Sequence, residues 1–182
     1  MRPTPYLASE DSALLRKAVR GRSGHACLEI GAGNGGNLVP VARAFEVAVG
    51  SDLVRPEMAD WSEAGAGFVL ADLAACFRDG TFDLVMFNPP YLPSDGVEDL
   101  AVDAGREAEI PLGFLREALR VVADSGTVVM LLGTDSPVAR IQEECERRGF
   151  RLARVEEMHL FFEDLVIYEA SRAGRTVGRS WR

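Results

Sequence analysis

Residues 88–91, Asn-Pro-Pro-Tyr, combine side chains that could orient a planar –NH2 group. They follow an apolar run, Phe82–Phe87, that predicts a buried β-strand. Because a residue before proline is held extended and prolines fix their own φ, the corner should be rigid. The amide of Asn88 and a nearby backbone carbonyl can accept hydrogen bonds from an –NH2 group, and the Tyr91 ring offers a flat face. Without supporting residues elsewhere, the segment would be only a proline-rich turn with a capping Asn.

A glycine-rich stretch, LEIGAGNGGN (28–37), separates the first predicted strand from a predicted helix. Glycines there let the backbone approach a ligand closely, and a helix N-terminus offers free N–H groups. The spacing fits two patterns. Gly31-x-Gly33-x-x-Gly36 matches the dinucleotide fingerprint, whereas Glu29-x-Gly31-x-Gly33-x-Gly35 matches a nucleoside-binding pattern with an acid on the strand. The glycines alone leave NAD and S-adenosylmethionine both open.

Two aspartates follow at the ends of the next predicted strands. Asp52 ends the second strand, about twenty residues beyond the glycines, where an acid can bridge ribose hydroxyls. Asp72 ends the third strand and could accept a hydrogen bond from an adenine amino group. Either aspartate alone could be a helix cap. Since the carboxyl ends of parallel strands form the ligand cleft of open α/β sheets, the residues together predict a nucleoside site.

Alternating strand-like and helical patterns predict a Rossmann-like, mostly parallel α/β sheet with helices on both faces. The last two strand-like segments, 150–160 and 161–170, have no helix between them and predict an antiparallel pair at one edge. In the first helix, Leu14, Leu15, Ala18 and Val19 should face the core. The other predicted strands are 26–31, 46–52, 66–72, 81–88 and 126–133. The predicted helices are 9–19, 36–45, 56–65, 73–77, 111–123 and 136–149, the last with Ser136 as N-cap and Pro137 at its first position.

The chain of 182 residues suits one domain, predicted over 1–170 and followed by a basic, disordered tail, 171–182. A polar loop, 94–109, is long enough to suggest a function. The net charge of −8 disfavours a dedicated nucleic-acid binder. No apolar run reaches the roughly 20 residues of a membrane span, and no signal peptide is visible, so we expect a cytoplasmic protein.

The cysteines and histidines do not form a metal-binding pattern. Cys27, Cys76 and Cys145 lie far apart and make no CxxC pair, and His25 and His159 do not complete a ligand set with them. We therefore predict three buried thiols and no metal site.

With its companions, the Asn-Pro-Pro-Tyr segment resembles the signature of S-adenosylmethionine-dependent methyltransferases that modify planar –NH2 nitrogens. The matching segments are YLASEDSALL (6–15), LEIGAGNGG (28–36), SDL (51–53) and ADL (71–73). The first resembles a segment of the HemK/PrmC group, and more closely of its short archaeal and eukaryotic branch. The resemblance covers roughly residues 6–170. Leu7 and Ala8 stand where the group often has Glu and Pro, and SDLVRP replaces the commoner Asp-Ile-Asn.

The resemblance implies a seven-stranded class I methyltransferase fold and a set of site residues. Asn88, Pro89 and Tyr91 would form the catalytic corner. Positions that contact S-adenosylmethionine in the group match Ser12, Glu29, Gly31, Gly33, Asp52, Asp72, Leu73 and Asn88. The implied reaction is N5-methylation of the glutamine in a Gly-Gly-Gln loop of a translation release factor. The implied partner is a small zinc-binding activator of the Trm type that pairs along the sheet edge.

Three other functions stay open from the sequence. N6-adenine methylation of DNA or RNA would use the same corner, although the acidic balance and the lack of a target-recognition domain disfavour it. An NAD-dependent oxidoreductase fits the glycines but not the Asn-Pro-Pro-Tyr corner. A non-enzymatic subunit could keep the fold, but intact Asn88 and Asp52 argue against decay.

Overall fold

A seven-stranded sheet with helices on both faces organises the residues that the computed structural model describes: 10–56, 61–89, 104–134, 136–160 and 164–174. The strand order is β3-β2-β1-β4-β5-β7-β6. Strands β1 to β5 run parallel, and β7 pairs antiparallel with both β5 and β6, so the predicted sheet is confirmed. The strands are β1 (Gly24–Ile30), β2 (Phe45–Asp52), β3 (Ala66–Leu70), β4 (Phe82–Phe87), β5 (Val122–Gly133), β6 (Phe150–His159) and β7 (Asp164–Arg172).

The strand order reverses at β1, which lies between β2 and β4. At this switch point Ile30 pairs with Ser51 on one side and with Phe87 on the other. The residues that follow these strands therefore leave the sheet next to one another, at the carboxyl ends of the strands. Open α/β sheets bind their ligands in such a crevice. The central strands are buried on both faces, which explains their nearly continuous apolar runs.

Helix α1 (Glu10–Val19) covers one face of the sheet, and α2 (Ala104–Val121) and α3 (Val138–Arg147) cover the other. The four residues of α1 predicted to face the core are each at most 1% exposed, so that prediction is confirmed: Leu14, Leu15, Ala18 and Val19. On the opposite face, Leu112, Leu115 and Leu119 of α2 are buried against β1, β4 and β5.

Two predicted helices are turns in the structure. Over 36–44 the chain makes turns and one short 3-10 segment, Ala42–Ala44, and Phe45 already belongs to β2. Pro40 lacks an N–H, and β-branched Val39 and Val41 flank it, which explains why no α-helix propagates there. Residues 73–77 also form turns. Of the helix predicted over 56–65, residues 57–60 lie outside the described residues, and Trp61–Gly65 form a turn closed by a hydrogen bond from Ala66 N to Trp61 O.

The later helix boundaries also differ from the prediction. Helix α2 begins at Ala104, so the end of the predicted loop 94–109 is helical, and Pro111 lies inside the helix. Ala, Arg and Glu before Pro111 favour a helix strongly enough to extend past it. Ser136 does not cap α3: Pro137 occupies the N-cap, and the buried Ser136 Oγ has no hydrogen-bond partner among the described residues. Pro137 therefore stands one position earlier than predicted.

The C-terminal strand extends past the predicted domain end. Arg172, the last residue of β7, lies over the Phe150 ring at 4.4 Å and pairs with Asp124 at 3.2 Å. Residues 175–182 of the predicted tail are outside the described residues. Among the residues that are described, no helix combines the length and apolar character needed to cross a membrane.

Two of the three cysteines fit the prediction of buried thiols. Burial raises the pKa of Cys27 and of Cys145 to about 12, which keeps both thiols protonated. Cys76 is exposed, so the prediction is wrong there: it lies in the turn that replaces the predicted helix 73–77.

Candidate cofactor and substrate site

The glycine loop after β1 takes an alternating backbone conformation. Gly31, Gly33 and Gly35 have φ values of +70°, +50° and +81°, which side chains other than glycine rarely adopt. Gly36 is not among the residues with positive φ. The conformation thus favours the pattern that spaces glycines two apart and places Glu29 on the strand.

Most of the loop's described N–H groups already bond to the protein. Gly31 N and Ala32 N donate to Ser51 O at 2.8 and 3.0 Å, and Gly35 N donates to Ala32 O at 2.8 Å. Gly33 N donates to Asp52 Oδ2 at 2.9 Å. The loop therefore contributes mainly its shape, a surface without side chains that a ligand can approach closely.

Asp52 at the end of β2 stays available to a ligand. Its Oδ2 accepts from Gly33 N, and its Oδ1 accepts from Val54 N at 3.0 Å. A carboxylate has about four acceptor positions, so roughly two remain for ribose hydroxyls. The side chain is half-buried, and Leu53 and Val54 beside it are 70% and 65% exposed. This places an acceptor next to an apolar surface, as a nucleoside requires.

Glu29 lies beneath the loop rather than on the surface of the cleft. It is 2% exposed, and its oxygens accept from Asn37 Nδ2 at 2.8 Å and Leu38 N at 3.0 Å. Burial raises the pKa of Glu29 to about 8, although both hydrogen bonds act in the opposite direction. The carboxyl group ties the segment after the loop to β1. A direct contact between Glu29 and the cofactor stays a prediction.

Ser12 lies on helix α1, which contacts the glycine loop. Arg16 Nη1 donates to Gly36 O at 3.3 Å, so the helix is tied to the glycine loop. Ser12 lies one turn before Arg16 and is 9% exposed. A contact between Ser12 and the cofactor stays a prediction.

Asp72 and Leu73 come shortly after β3, the strand that pairs with β2 and with its last residue, Asp52. Asp72 is exposed, and Asp52 O accepts a hydrogen bond from Ala71 N at 3.0 Å. Leu73 has φ = +48°, and no other described non-glycine residue has a positive φ. Such strain in a bulky residue is maintained only by its surroundings and often marks a functional site.

Asn88 follows β4 directly and lies half-buried beside the glycine loop. Because Ile30 pairs with Phe87, the next residues, Gly31 and Asn88, leave the sheet side by side. Pro89 is buried, which fixes the corner, while Pro90 and Tyr91 lie outside the described residues. The structure thus brings Gly31, Asp52 and Asn88 together where the neighbouring strands β1, β2 and β4 end.

Two aromatic residues that the sequence analysis did not select shape the loop. A Cβ on Gly31 would lie 3.0 Å from the Phe114 ring of α2, and Phe114 packs on Phe87 at 5.7 Å. A Cβ on Gly35 would lie 2.7 Å from the Trp61 indole, which is 3% exposed. Gly35 therefore serves packing as well as conformation. No spacing in the sequence indicates either contact, because each joins distant segments.

The two histidines lie away from this corner. His25 is at the start of β1, at the opposite edge of the sheet from Asn88. His159 ends β6, where its Nδ1 lies 2.7 Å from Asp164 Oδ1 and its Nε2 3.9 Å from Glu157 Oε2. These three side chains could together approach a metal ion, but they lie on β6 and β7 at one edge of the sheet, three or more strands away from β1.

Comparisons with known proteins identify the fold. No protein-family model matches the chain. The curated protein named "Putative protein N5-glutamine methyltransferase" from Methanocaldococcus jannaschii is 29% identical, over 94% of each chain. A chain of the E. cuniculi Mtq2–Trm112 complex, described as responsible for methylation of the eRF1 translation termination factor, superposes with a TM-score of 0.70. It is 22% identical and matches 92% of this chain and 98% of that one. This chain has the class I methyltransferase fold.

A second solved structure of this fold contains the cofactor. The T. thermophilus 16S rRNA N2 G1207 methyltransferase, in complex with AdoMet and guanosine, superposes with a TM-score of 0.61 and 19% identity. The match covers 96% of this chain and 42% of that one. The comparisons confirm the predicted methyltransferase fold and support the resemblance to glutamine N-methyltransferases.

Proposed function

We propose that this chain is an S-adenosylmethionine-dependent methyltransferase that methylates N5 of the glutamine in a release-factor Gly-Gly-Gln loop. The position of Asn88 carries the proposal. It follows β4 at the switch point, beside Gly31 and before buried Pro89. A rigid amide next to a nucleoside cleft suits methylation of a planar –NH2 group. The 29% identity to the M. jannaschii protein, over nearly the whole chain, supports the choice of glutamine.

The described residues fit S-adenosylmethionine. The Gly31–Gly35 loop offers a surface without side chains, Asp52 keeps acceptor positions for ribose, and exposed Leu53 offers an apolar surface for adenine. Asp72 lies exposed beyond β3, where it could accept from the adenine amino group. When bound, the cofactor supplies an electrophilic methyl group on its sulfonium.

The protein's own task is to position a weak nucleophile. The lone pair of an amide nitrogen is delocalised into its carbonyl, so orientation and charge stabilisation must supply much of the rate. The Asn88 side-chain oxygen and the neighbouring backbone carbonyl would accept the two N–H groups of the glutamine amide and so fix the nitrogen. Tyr91 would lie against the amide plane. Because the nitrogen becomes acidic as it is methylated, it can lose its proton late, without a strong base.

The β3 edge supports the proposed activator partner. β3 is an edge strand with the uncharged sequence AGFVL, and Leu70 at its end is 63% exposed. The other edge strand, β6, carries several charged residues, which blunt strand pairing. An unprotected edge is suited to pairing with another chain. We propose that a small activator subunit, zinc-binding as in the Trm type, pairs with β3. Release factors act in the cytoplasm, so we place the enzyme in the cytoplasm as well.

Replacing Asn88 tests the proposal. With labelled S-adenosylmethionine, wild-type protein and candidate activator should methylate a release factor, and Asn88→Ala should lose transfer by at least about 100-fold, as expected when a positioned hydrogen-bond group is removed. Gln142→Ala removes an exposed amide on α3 and should keep wild-type activity. The thermal unfolding of Asn88→Ala should stay near wild type, and its binding of the cofactor should weaken much less than methyl transfer does. Near-normal turnover by Asn88→Ala, or methylation of DNA rather than the release factor, would overturn it.

A further inference from the structure

The turn between β3 and β4 is held in a strained conformation. It contains Asp72 and Leu73, and Leu73 has φ = +48°. Three hydrogen bonds lie within the turn: Ala75 N donates to Asp72 O at 3.1 Å, Phe77 N donates to Ala74 O at 3.0 Å, and Thr81 Oγ1 donates to Arg78 O at 2.8 Å. The first bond closes a β-turn with Leu73 and Ala74 at its centre, and such a turn accommodates either sign of φ at Leu73. The turn bond alone therefore does not select the left-handed form, and the contacts with the helix that packs against the turn are the further constraint on it.

Arg120, near the end of α2, supplies that constraint. Its Nη2 donates to Ala74 O at 2.8 Å, and its Nη1 donates to Phe77 O at 2.9 Å. The same guanidinium donates to Asp79 Oδ1 at 2.7 Å and to both oxygens of Glu117 at 3.1 and 2.6 Å. A guanidinium has five N–H donors, and five acceptors meet them here. Two of those acceptors are backbone carbonyls of the turn.

Helix α2 contacts the turn at two further places. Gly113 faces Leu73, since a Cβ built on Gly113 would lie 3.7 Å from Leu73 Cδ1. At the other end, Arg120 O accepts from Gly80 N at 3.0 Å. The beginning and the end of the turn therefore rest on α2, and the guanidinium of Arg120 fastens its middle.

We propose that Arg120 is a positioning residue for recognition of the adenine amino group. This rests on the proposed function, in which Asp72 accepts from that amino group. Exposed Asp72 lies two residues before Ala74, whose carbonyl Arg120 holds. Fixing that carbonyl fixes the direction in which the chain leaves Asp72. Arg120 thereby contributes to the choice of an adenosyl over an inosyl ligand without touching either.

Lysine cannot replace arginine in this arrangement. An ammonium group is a compact charge with three donors, so it cannot reach two carbonyls and a carboxylate pair in fixed directions. Arg78, in the same turn, is exposed and offers the matched control. Arg78→Lys makes the same chemical change without removing a contact to Ala74 or Phe77.

The experiment compares two product analogues by calorimetry: S-adenosylhomocysteine, and S-inosylhomocysteine, which has an oxygen in place of the 6-amino group. Wild type and Arg78→Lys should bind the adenosyl compound about 5- to 100-fold more tightly, as expected for one hydrogen bond to a carboxylate. Arg120→Lys should bind the adenosyl compound about tenfold more weakly and the inosyl compound almost unchanged, so its preference should be about tenfold smaller than that of wild type. Should that variant not fold, Glu117→Gln displaces the guanidinium more mildly and should reduce the preference in the same direction.

Four other outcomes would contradict the inference. An equal loss of affinity for both compounds would assign Arg120 a purely structural role. An unchanged preference in Arg120→Lys would show that Arg120 has no positioning role. If Arg120→Lys does not fold, an unchanged preference in a folded Glu117→Gln would show the same. If wild type binds both compounds equally, adenine recognition at Asp72 fails while the methyltransferase proposal stands. If wild type binds neither, the proposed function itself fails.

Discussion

Buried polar side chains hold the glycine loop from below. Glu29 is 2% exposed and joins β1 to Asn37 and Leu38 through its two oxygens. The residue types at this loop are recognisable in the sequence, but their partners are not. Asn37 and Leu38 could not be assigned to Glu29, because the segment after the loop was predicted as a helix and forms turns. The predicted acid is therefore placed correctly on the strand, while its contact with the cofactor is untested.

Glu29 should make the stability of the fold depend on pH. Its pKa is 4.5 in an unfolded chain and rises to about 8 in the fold, because burial disfavours the charged carboxylate. Between these values the folded state binds more protons than the unfolded state, so stability falls as pH rises. The slope is at most about 1.4 kcal/mol per pH unit. Urea unfolding at pH 5, 6, 7 and 8 measures it.

The isosteric variant Glu29→Gln is the control for that slope. Its amide can accept from Leu38 N and, after the Asn37 amide flips, donate to Asn37 Oδ1, which has no hydrogen-bond partner in the described part of the wild type. We expect a folded protein that lacks this part of the pH dependence. Equal slopes for the variant and the wild type would show that Glu29 is already ionised in the fold.

Helix α2 connects the ligand-facing segments to the core. Phe114 contacts Gly31, Gly113 faces Leu73, and Arg120 holds the turn after β3. The sequence predicts the helix from its apolar spacing, and Leu112, Leu115 and Leu119 are buried as that spacing requires. It does not predict these three contacts. They depend on which face of α2 meets the strand ends, and periodicity alone identifies only the apolar face.

Filling the space at Gly113 should stabilise α2. A Cβ there would lie 3.7 Å from Leu73 Cδ1, an ordinary contact, and alanine is a better helix former than glycine. We expect Gly113→Ala to raise the free energy of unfolding by about 0.5–1 kcal/mol in urea titrations and to keep methyl transfer. Gly31→Ala is the opposite case, because its φ is +70° and its Cβ would lie 3.0 Å from Phe114. That variant should lose both stability and cofactor affinity.

The two edges of the sheet differ in how they are protected. Arg151, Arg154 and Glu157 on β6 are exposed charges, whereas β3 carries no charge at all. The antiparallel β6–β7 pair was predictable, because no helical pattern separates its segments. The identity of β3 as the second edge was not predictable from spacing, since strand order depends on which way each crossover turns. The resemblance to the short branch implied a partner at a sheet edge, and β3 has the character that such a partner needs.

A charge placed on β3 should prevent the proposed heterodimer from forming. Gly67 lies in the middle of the strand and is exposed, and a Cβ there would lie 3.9 Å from Ala48 O, an ordinary contact. Gly67→Lys puts a solvated ammonium on the edge, as natural edge strands do to block pairing. Ile110→Lys adds the same charge on α2, where Ile110 is 48% exposed. Mixed with the candidate activator in sedimentation experiments, wild type and Ile110→Lys should form a complex, and Gly67→Lys should sediment as a single chain. A complex that survives Gly67→Lys and is lost in Ile110→Lys would place the partner on α2 instead, because the two substitutions add the same charge on different surfaces.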